Sequence, residues 1–555
     1  MNIWRLGTRW GNTPVLDVIL ETKVGFFFKD WATDGVDVDD IIAIATPWTR
    51  NVEAIGIAGS KVLPLSELLD QKEQAGVLSQ WINDAKGFRF KKIWTIPKEK
   101  QFQTRDFKPF YSLRNDHRAW NEAIKNVNLM QSEEKMKDFC QLLKNCHNLI
   151  LTGAPGTGKT YLAREIAKEI TGNERYVAFA LFHPSYDYTD FVEGLRPMPA
   201  GENGMIGFQR QDGVFKAFCK RVIIHAAFRK AYKAFLSDLE ANGIKQENPK
   251  ELRIGEGNSK IKIFPNSRDS ISFLTGNEDR LSGSLTLEMT LKTNDGEKTW
   301  DGWESYYNSL INYLKVNYIK DNWNMGDYDQ KYVFIIDEIN RGDIAKIFGE
   351  LFFAIDPDYR GEKGKVPTQY ANLIEDDDLF KDGFYVPENV YIIGTMNDID
   401  RNVECMDFAI RRRFTWVEIA PKDTVAMWND PEKGIPEYRD KASTCMEAIN
   451  SAIRSTPGLG SAYQLGAAYF LKLKNYKGTS KEKFGLLWKN HIEPLLKEYL
   501  RGMPEADATV NKMKQKWDDA LQSETPTNAA SPAATQAESE PQPGSSENQT
   551  SSEQQ

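Results

Sequence analysis

Two adjacent acids, Asp337 and Glu338, close the apolar run Tyr332–Ile336 in the stretch YVFIIDEINRGD. Paired carboxylates at the end of a core strand cost free energy unless a cation meets them there. Upstream, NLILTGAPGTGKTYLAREIAKEI reads as an apolar strand, a glycine-rich loop and an amphipathic helix. The loop, Gly153-Ala154-Pro155-Gly156-Thr157-Gly158-Lys159-Thr160, is a full G-x-x-x-x-G-K-T match. Its glycines let backbone N–H groups turn around phosphate oxygens, Lys159 reaches the outer phosphates, the Thr160 hydroxyl is a magnesium ligand, and the helix N-terminus adds its dipole. The cation that answers the acid pair is then Mg2+. Asp337 holds it against the phosphates, mostly through water, and Glu338 orients or deprotonates the attacking water. That chemistry is nucleoside triphosphate hydrolysis.

The elements that must position these groups follow an α/β pattern. Strands are expected at 148–152, 176–181, 332–336, 390–395 and 414–419, alternating with helices over 148–420 as in a parallel sheet. An insertion over about 221–328 interrupts them, with a helix at 222–240, strands at KIKIF (260–264) and in SLTLEMTLKT (284–293), and a returning helix in 300–314. In the last strand Leu285, Leu287, Met289 and Leu291 alternate with polar residues before a turn at Asn294-Asp295-Gly296. Residues 113–147 read as a helical connector and 421–521 as all-helical. From 522 to 555 core-forming residues run out, the composition of a disordered tail.

A hydrophobic share of 41% supports real cores, and the mean hydropathy is −0.53. No apolar stretch is long enough to span a membrane, and the opening MNIWRLGTRWGN lacks a leader-like apolar core, so a cytoplasmic protein is expected. Five scattered cysteines have no metal-ligand spacing and fit a reducing compartment. The net charge of −8 does not announce nucleic-acid binding, yet 84–118 holds ten Lys and Arg against four Asp and Glu.

The motifs occur in a specific order. After the phosphate loop come FHPSYDYTDFVEGLRP (182–197), GFQRQDGVFKAFC (207–219), FIIDEINRGDIAKIFGEL (334–351), YIIGTMNDIDRNVECMDFAIRRRF (391–414) and LWKNHIEPLLKEYL (487–500). This order resembles the McrB-type AAA+ GTPases of McrBC modification-dependent restriction systems, over roughly 145–222 and 330–505. The resemblance implies an AAA+ P-loop core with a C-terminal helical lid, a hexameric ring, GTP hydrolysis, and an McrC-like nuclease partner. The family's M-N-T-A-D-R-S signature stands here as Met396-Asn397-Asp398-Ile399-Asp400-Arg401-Asn402. Asn397 takes the sensor position beside the acid pair, and Asp400 and Arg401 match, whereas Asp398, Ile399 and Asn402 depart. Asn340 and Arg341 match the family's D-E-I-N-R and are expected at the metal, the water or the ring interface. Within AIRRRF, Arg412 or Arg413 is expected to reach a neighbour's nucleotide. In the lid, Gly466, Tyr469 and Phe470 fit a segment in which Ala467 and Ala468 replace His and Ser. No N-K-x-D guanine motif is present, so GTP over ATP rests on the resemblance alone.

Residues 1–112 do not look like the best-known reader of that family. DDIIAIATPW and VEAIGIAGSKVL (39–63) form two strands around a polar turn, with bulges expected at Gly56 and Gly59, and the region resembles small PUA/EVE-like barrels. Some of those hold a flipped, modified base on aromatic faces. Trp4, Trp10, Phe26, Phe28, Trp31 and Trp48 are the aromatics for such a pocket, although each taken singly is more simply a core residue. The basic-aromatic segment 86–111 would contact DNA phosphates, or would be a solvated charged face. The expected function is an NTPase ring that binds modified DNA and powers translocation to activate a separate nuclease. The other reading is a MoxR-like ATPase chaperone, to which FVEG (191–194) is similar. No D-x(n)-E-x-K nuclease pattern stands out, so cleavage would belong to the partner.

Overall fold

Three apolar runs, Asn148–Thr152, Tyr332–Asp337 and Val390–Thr395, make the middle of the central sheet and are buried on both faces, as inner strands of a parallel sheet must be, while two more exposed strands form its edges. The computed structural model describes residues 2–522 except 11–12, 29–34, 47–49, 106–109, 199–206, 256–258, 277–278, 298–301, 321, 324–325 and 400–407. Of the tail read as disordered, 522–555, Gln522 ends the helix Ala506–Gln522 and 523–555 lie outside the described residues. In spatial order the central strands are Val177–Leu181, Tyr332–Asp337, Val390–Thr395, Asn148–Thr152 and Thr415–Glu418. All neighbours pair in parallel. The chain is therefore an α/β protein with a parallel sheet at its core, and Asp337 is the last residue of an inner strand. Helix Lys159–Thr171 packs on one face through Leu162, Ala163, Ile166 and Ala167. The other face carries a phenylalanine-rich cluster that includes Phe182, Phe191, Phe215 and Phe334.

The N-terminal residues form an eight-stranded mixed sheet. Strand Ile41–Ala45 is buried throughout and shows why: Ile42 and Ile44 face one apolar cluster, and Ile41, Ala43 and Ala45 face another. The second cluster is closed by helix His117–Cys146, which lays Ala119, Ala123 and Val127 on the sheet. The register shifts fall at Ile44/Ala45 and Ile57/Ala58, not at the expected glycines. Gly56 instead makes room for the Phe90 ring, since a Cβ there would sit 2.4 Å from it.

Helix Val214–Ala241 begins earlier than the sequence pattern implies and runs into a four-stranded antiparallel sheet spanning Lys250–Leu285. The segment 284–293 is not a strand: Leu285 ends the preceding strand, and Leu287–Asn294 is a helix. Thr286 caps it, its hydroxyl accepting from Met289 N at 3.3 Å. Leucines at 287 and 291 satisfy a helical spacing as well as a strand's, and the cap decides between them. Beyond the central sheet, Met427, Trp428, Ile449, Phe470, Leu487 and Trp517 close a helical cluster over 421–522.

Candidate functional site

Gly153, Gly156 and Gly158 have φ of 143°, 72° and 79°, left-handed backbone that a side chain would strain. The loop they shape wraps Lys159, which is only 7% exposed. Its Nζ donates to Gly153 O at 3.0 Å, Ala154 O at 2.9 Å and Thr157 Oγ1 at 3.3 Å. The Thr160 hydroxyl donates to Asp337 Oδ1 at 2.7 Å, so the helix start and the strand end meet as the spacing implied. Thr395, on the next strand, donates its hydroxyl to the same carboxylate oxygen and accepts from Glu338 N at 3.3 Å. Sequence reasoning missed Thr395; its place at the end of a core strand, before Met396-Asn397, was the available signal. The oxygen-only surroundings of Asp337 suit a hard cation such as Mg2+.

Glu338 sits in the left-handed region, φ 53° and ψ 45°, a cost that turns its side chain out of the strand. Asn397 Nδ2 donates to Glu338 Oε1 at 2.9 Å and Oε2 at 3.1 Å. Arg341 Nε lies 3.4 Å from Glu338 Oε2. Asn340 is buried, donates to Asn397 O at 3.4 Å, and leaves its Oδ1 without a partner. Asp398 N donates to Gly153 O at 3.4 Å; partial burial lifts its carboxyl above the ordinary value, the Lys159 charge opposing and Glu418 adding to the rise.

The lid closes directly on the phosphate loop. Gly466 N donates to Pro155 O at 3.2 Å and Ala468 N to Gly156 O at 2.9 Å. A Cβ on Gly466 would lie 2.1 Å from Gly156 C, and one on Gly156 would meet the Tyr469 ring at 2.5 Å. From the other side Thr424 donates its hydroxyl to Thr157 O, and a Cβ on Gly158 would meet Met427 Cε at 2.4 Å. Thr424 and Met427 carried no sequence signal, because they reach the loop only through the fold.

The three arginines diverge. Arg411 lies over the Trp416 ring at 5.2 Å, and Arg412 is exposed. Arg413 turns inward, its side chain 9% exposed, donating to Ala409 O at 2.9 Å beside Asp356 at 3.7 Å and over Phe352 at 5.7 Å. Contacts within the chain therefore hold Arg413, and of the two candidate arginines Arg412 is the exposed one. Asp400 and Arg401 lie outside the described residues.

Of the aromatics expected for a base pocket, two are accounted for by packing within the N-terminal sheet. Trp4 stacks on Phe110 at 5.4 Å and donates Nε1–H to Asp40 at 3.0 Å, and Phe26 is buried against Trp81 at 5.0 Å, both as packing. Phe28 is half-buried at a strand end, Trp10 lies in a short strand, and Trp31 and Trp48 lie outside the described residues. The basic segment is likewise met by acids from elsewhere: Arg89 by Glu73, Lys91 by Asp39 at 3.1 Å, Lys92 by Glu134 at 2.7 Å and Lys100 by Glu133 at 3.2 Å. Counting charge along the chain missed partners that the fold supplies. Among the described residues no helix is long and apolar enough to cross a membrane.

Comparison with known proteins agrees with this geometry. Residues 148–242 and 288–414 match the AAA domain (dynein-related subfamily), and the gap between the two stretches falls on the four-stranded sheet of the insertion. Residues 441–507 match the McrB alpha-helical lid domain. The chain is 28% identical over 381 residues to the Type IV methyl-directed restriction enzyme EcoKMcrB subunit of Escherichia coli (strain K12), covering 67% of this chain and 57% of that protein. It is 24% identical over 296 residues to the Type II restriction enzyme BsuMI component YdiS of Bacillus subtilis (strain 168), covering 52% of this chain and 62% of that one. The matches thus span less than two thirds of either relative. A phosphate loop tied to an acid-ended strand, roofed by a lid of the McrB type, places the chain among the McrB-type AAA+ proteins.

Proposed function

We propose that the chain hydrolyses GTP with Mg2+ in a hexameric ring and works as the motor of a restriction system, with an McrC-like nuclease as the cleaving partner. The observation that carries the reading is the meeting of Thr160, Asp337, Glu338 and Asn397 at the mouth of the phosphate loop. Thr160 and Asp337 would hold the metal, which when bound neutralises charge on the phosphates. The loop amides and Lys159 bind and orient the triphosphate. Glu338, held at both oxygens by Asn397, is placed to accept a proton from the attacking water. Arg412, exposed beside the exposed Phe408, is the residue for the neighbour's nucleotide. Asn340 and Arg341 brace Asn397 and Glu338 from behind.

The likeness to a methyl-directed restriction enzyme subunit of E. coli supports methylated DNA as the target, and the N-terminal sheet is the part left to read it. Phosphate release by the full chain is the test, with GTP and ATP compared, with and without Mg2+, and with methylated and unmethylated duplexes. Mg2+-dependent GTP turnover raised by methylated DNA is expected. Turnover indifferent to any duplex removes the DNA reading, and equal use of ATP removes the GTP preference while leaving the site intact.

A further inference from the structure

Helix His117–Cys146 is continuous over 30 residues, about 45 Å at 1.5 Å per residue. Its first half belongs to the N-terminal apolar cluster through Ala119, Ala123 and Val127, and its second half to the central-sheet cluster through Phe139, Cys140 and Leu143. Between those two anchors stand three consecutive charged residues, and each is tied to a different place. Glu133 pairs with Lys100 at 3.2 Å and Glu134 with Lys92 at 2.7 Å, both lysines lying in the N-terminal region. Lys135 pairs with Asp423 at 2.6 Å.

Asp423 is well enclosed, its side chain 10% exposed, and its second oxygen accepts from Ala420 N at 2.9 Å. It thereby starts the helical segment Pro421–Asn429, which carries Thr424 onto Thr157 O and Met427 against Gly158. Three residues on one helix turn thus run from two lysines of the basic segment to the backbone of the phosphate loop. A groove of about 280 Å³ separates the N-terminal sheet from the same helix, lined by Ile41, Ile57, Lys91, Lys92, Ile124 and Gln131. Lys92 lines this groove, so one of the two paired lysines stands at its edge while Ala119, Ala123 and Val127 keep the helix on the sheet.

We propose that Glu133, Glu134 and Lys135 couple the N-terminal sheet to the phosphate loop, so that a polyanion capturing Lys92 and Lys100 changes nucleotide affinity through Lys135 and Asp423. Lys135 and Asp423 are positioning residues in this scheme and touch no nucleotide themselves. The lysine pairs are half-exposed, and ion pairs open to solvent contribute little, so a phosphodiester backbone can displace the carboxylates. The inference rests on the nucleotide-binding reading of the site but not on the identity of the polyanion.

The test is a double-mutant cycle on the full chain, read by equilibrium titration with fluorescent GTP and ATP analogues in parallel. Removing charge in Lys92→Gln with Lys100→Gln stands in for capture of both lysines. It is expected to shift the nucleotide Kd by about threefold, the low end of measured long-range couplings. In the Lys135→Gln background the same change should leave Kd unmoved, whereas Lys92→Arg with Lys100→Arg should keep the unmodified value. Melting curves of the variants at Lys92 and Lys100 should stay close to the parent, since only half-exposed pairs are lost there. An unchanged Kd in the double lysine variant, or a shift equally large with and without Lys135, overturns the coupling. Failure of the unmodified chain to bind either analogue overturns the nucleotide reading and the coupling with it.

Discussion

The side-chain amide of Asn397 donates to both oxygens of Glu338, at 2.9 and 3.1 Å, so one neutral group aims the whole carboxylate. The Glu338 backbone is held in a left-handed conformation by the turn that follows the strand. Glu338→Gln should keep nucleotide binding and lower turnover by about 10²–10⁴-fold, the usual weight of a positioned general base. Asn397→Ala should lower turnover too, with affinity little changed, because it frees the carboxylate without removing it. Phosphate-release rates set beside nucleotide titrations check both; near-normal turnover in Glu338→Gln would refute the assignment.

Lys159 is buried against loop carbonyls, so its loss acts on binding and not only on rate. Lys159→Ala should weaken triphosphate affinity by about tenfold or more, roughly 1.4 kcal/mol per decade. Titration with a nucleotide analogue decides it, and an unchanged Kd with lost turnover would contradict the expectation.

Gly466 is where the lid touches the loop. A Cβ there would stand 2.1 Å from Gly156 C and O and from Thr157 N, all backbone that has no room to yield. Gly466→Ala should therefore reduce nucleotide affinity and turnover by about tenfold or more while the fold survives. Gly485→Ala is the matched control: it lies within helix Ser480–Leu487, meets nothing within 4 Å, and should stabilise by about 0.5–1 kcal/mol. Thermal melts and activity on the two variants separate a lid effect from a general helix effect.

Arg412 and Arg413 should behave differently although they are adjacent. Arg413→Ala removes a buried stem and should cost about 1–3 kcal/mol of stability. Arg412→Ala should leave the melt unchanged and lower turnover. Activity should return in part when it is mixed with Lys159→Ala, because mixed interfaces would pair a sound loop with a sound arginine. Inactivity at every mixing ratio, with co-assembly shown, would remove Arg412 from that role.

Glu193 and Lys216 form a wholly buried pair at 2.6 Å, next to Arg210 at 2.9 Å. Burial pushes the Glu193 carboxyl up, but hydrogen bonds from Lys216, Thr368 and the Tyr370 amide, with the Lys216 charge, hold it below its ordinary value of 4.5. A depressed folded value means the pair contributes fully above pH 4.5 and is lost as pH falls through the lower, folded value. Melting temperature should drop on acidification below that point more steeply in the parent than in Glu193→Gln. At neutral pH the same variant should cost about 3–5 kcal/mol, because Lys216 is left buried opposite a neutral group. Equal pH slopes would show that the pair carries no such linkage.

What the sequence determined by itself was local. A glycine loop between strand and helix needs only neighbours along the chain, so Gly153 to Thr160 and the acid pair Asp337-Glu338 were legible as spacing and residue type. The alternation of apolar runs likewise determined a parallel α/β core and a helical lid, since a strand buried on both faces must be continuously apolar. Where two periods coincided, as at Leu287 and Leu291, spacing alone misled, and the Thr286 cap decided for a helix. Only the tertiary structure brought Thr395 to Asp337, Thr424 to Thr157 and Gly466 to Pro155, contacts between residues more than fifty positions apart. It alone turned Arg413 inward and left Arg412 outside, and it alone matched Lys92 and Lys100 to Glu134 and Glu133. Charge and exposure depend on which distant side chains share a surface, and that is a property of the folded chain, not of any stretch within it.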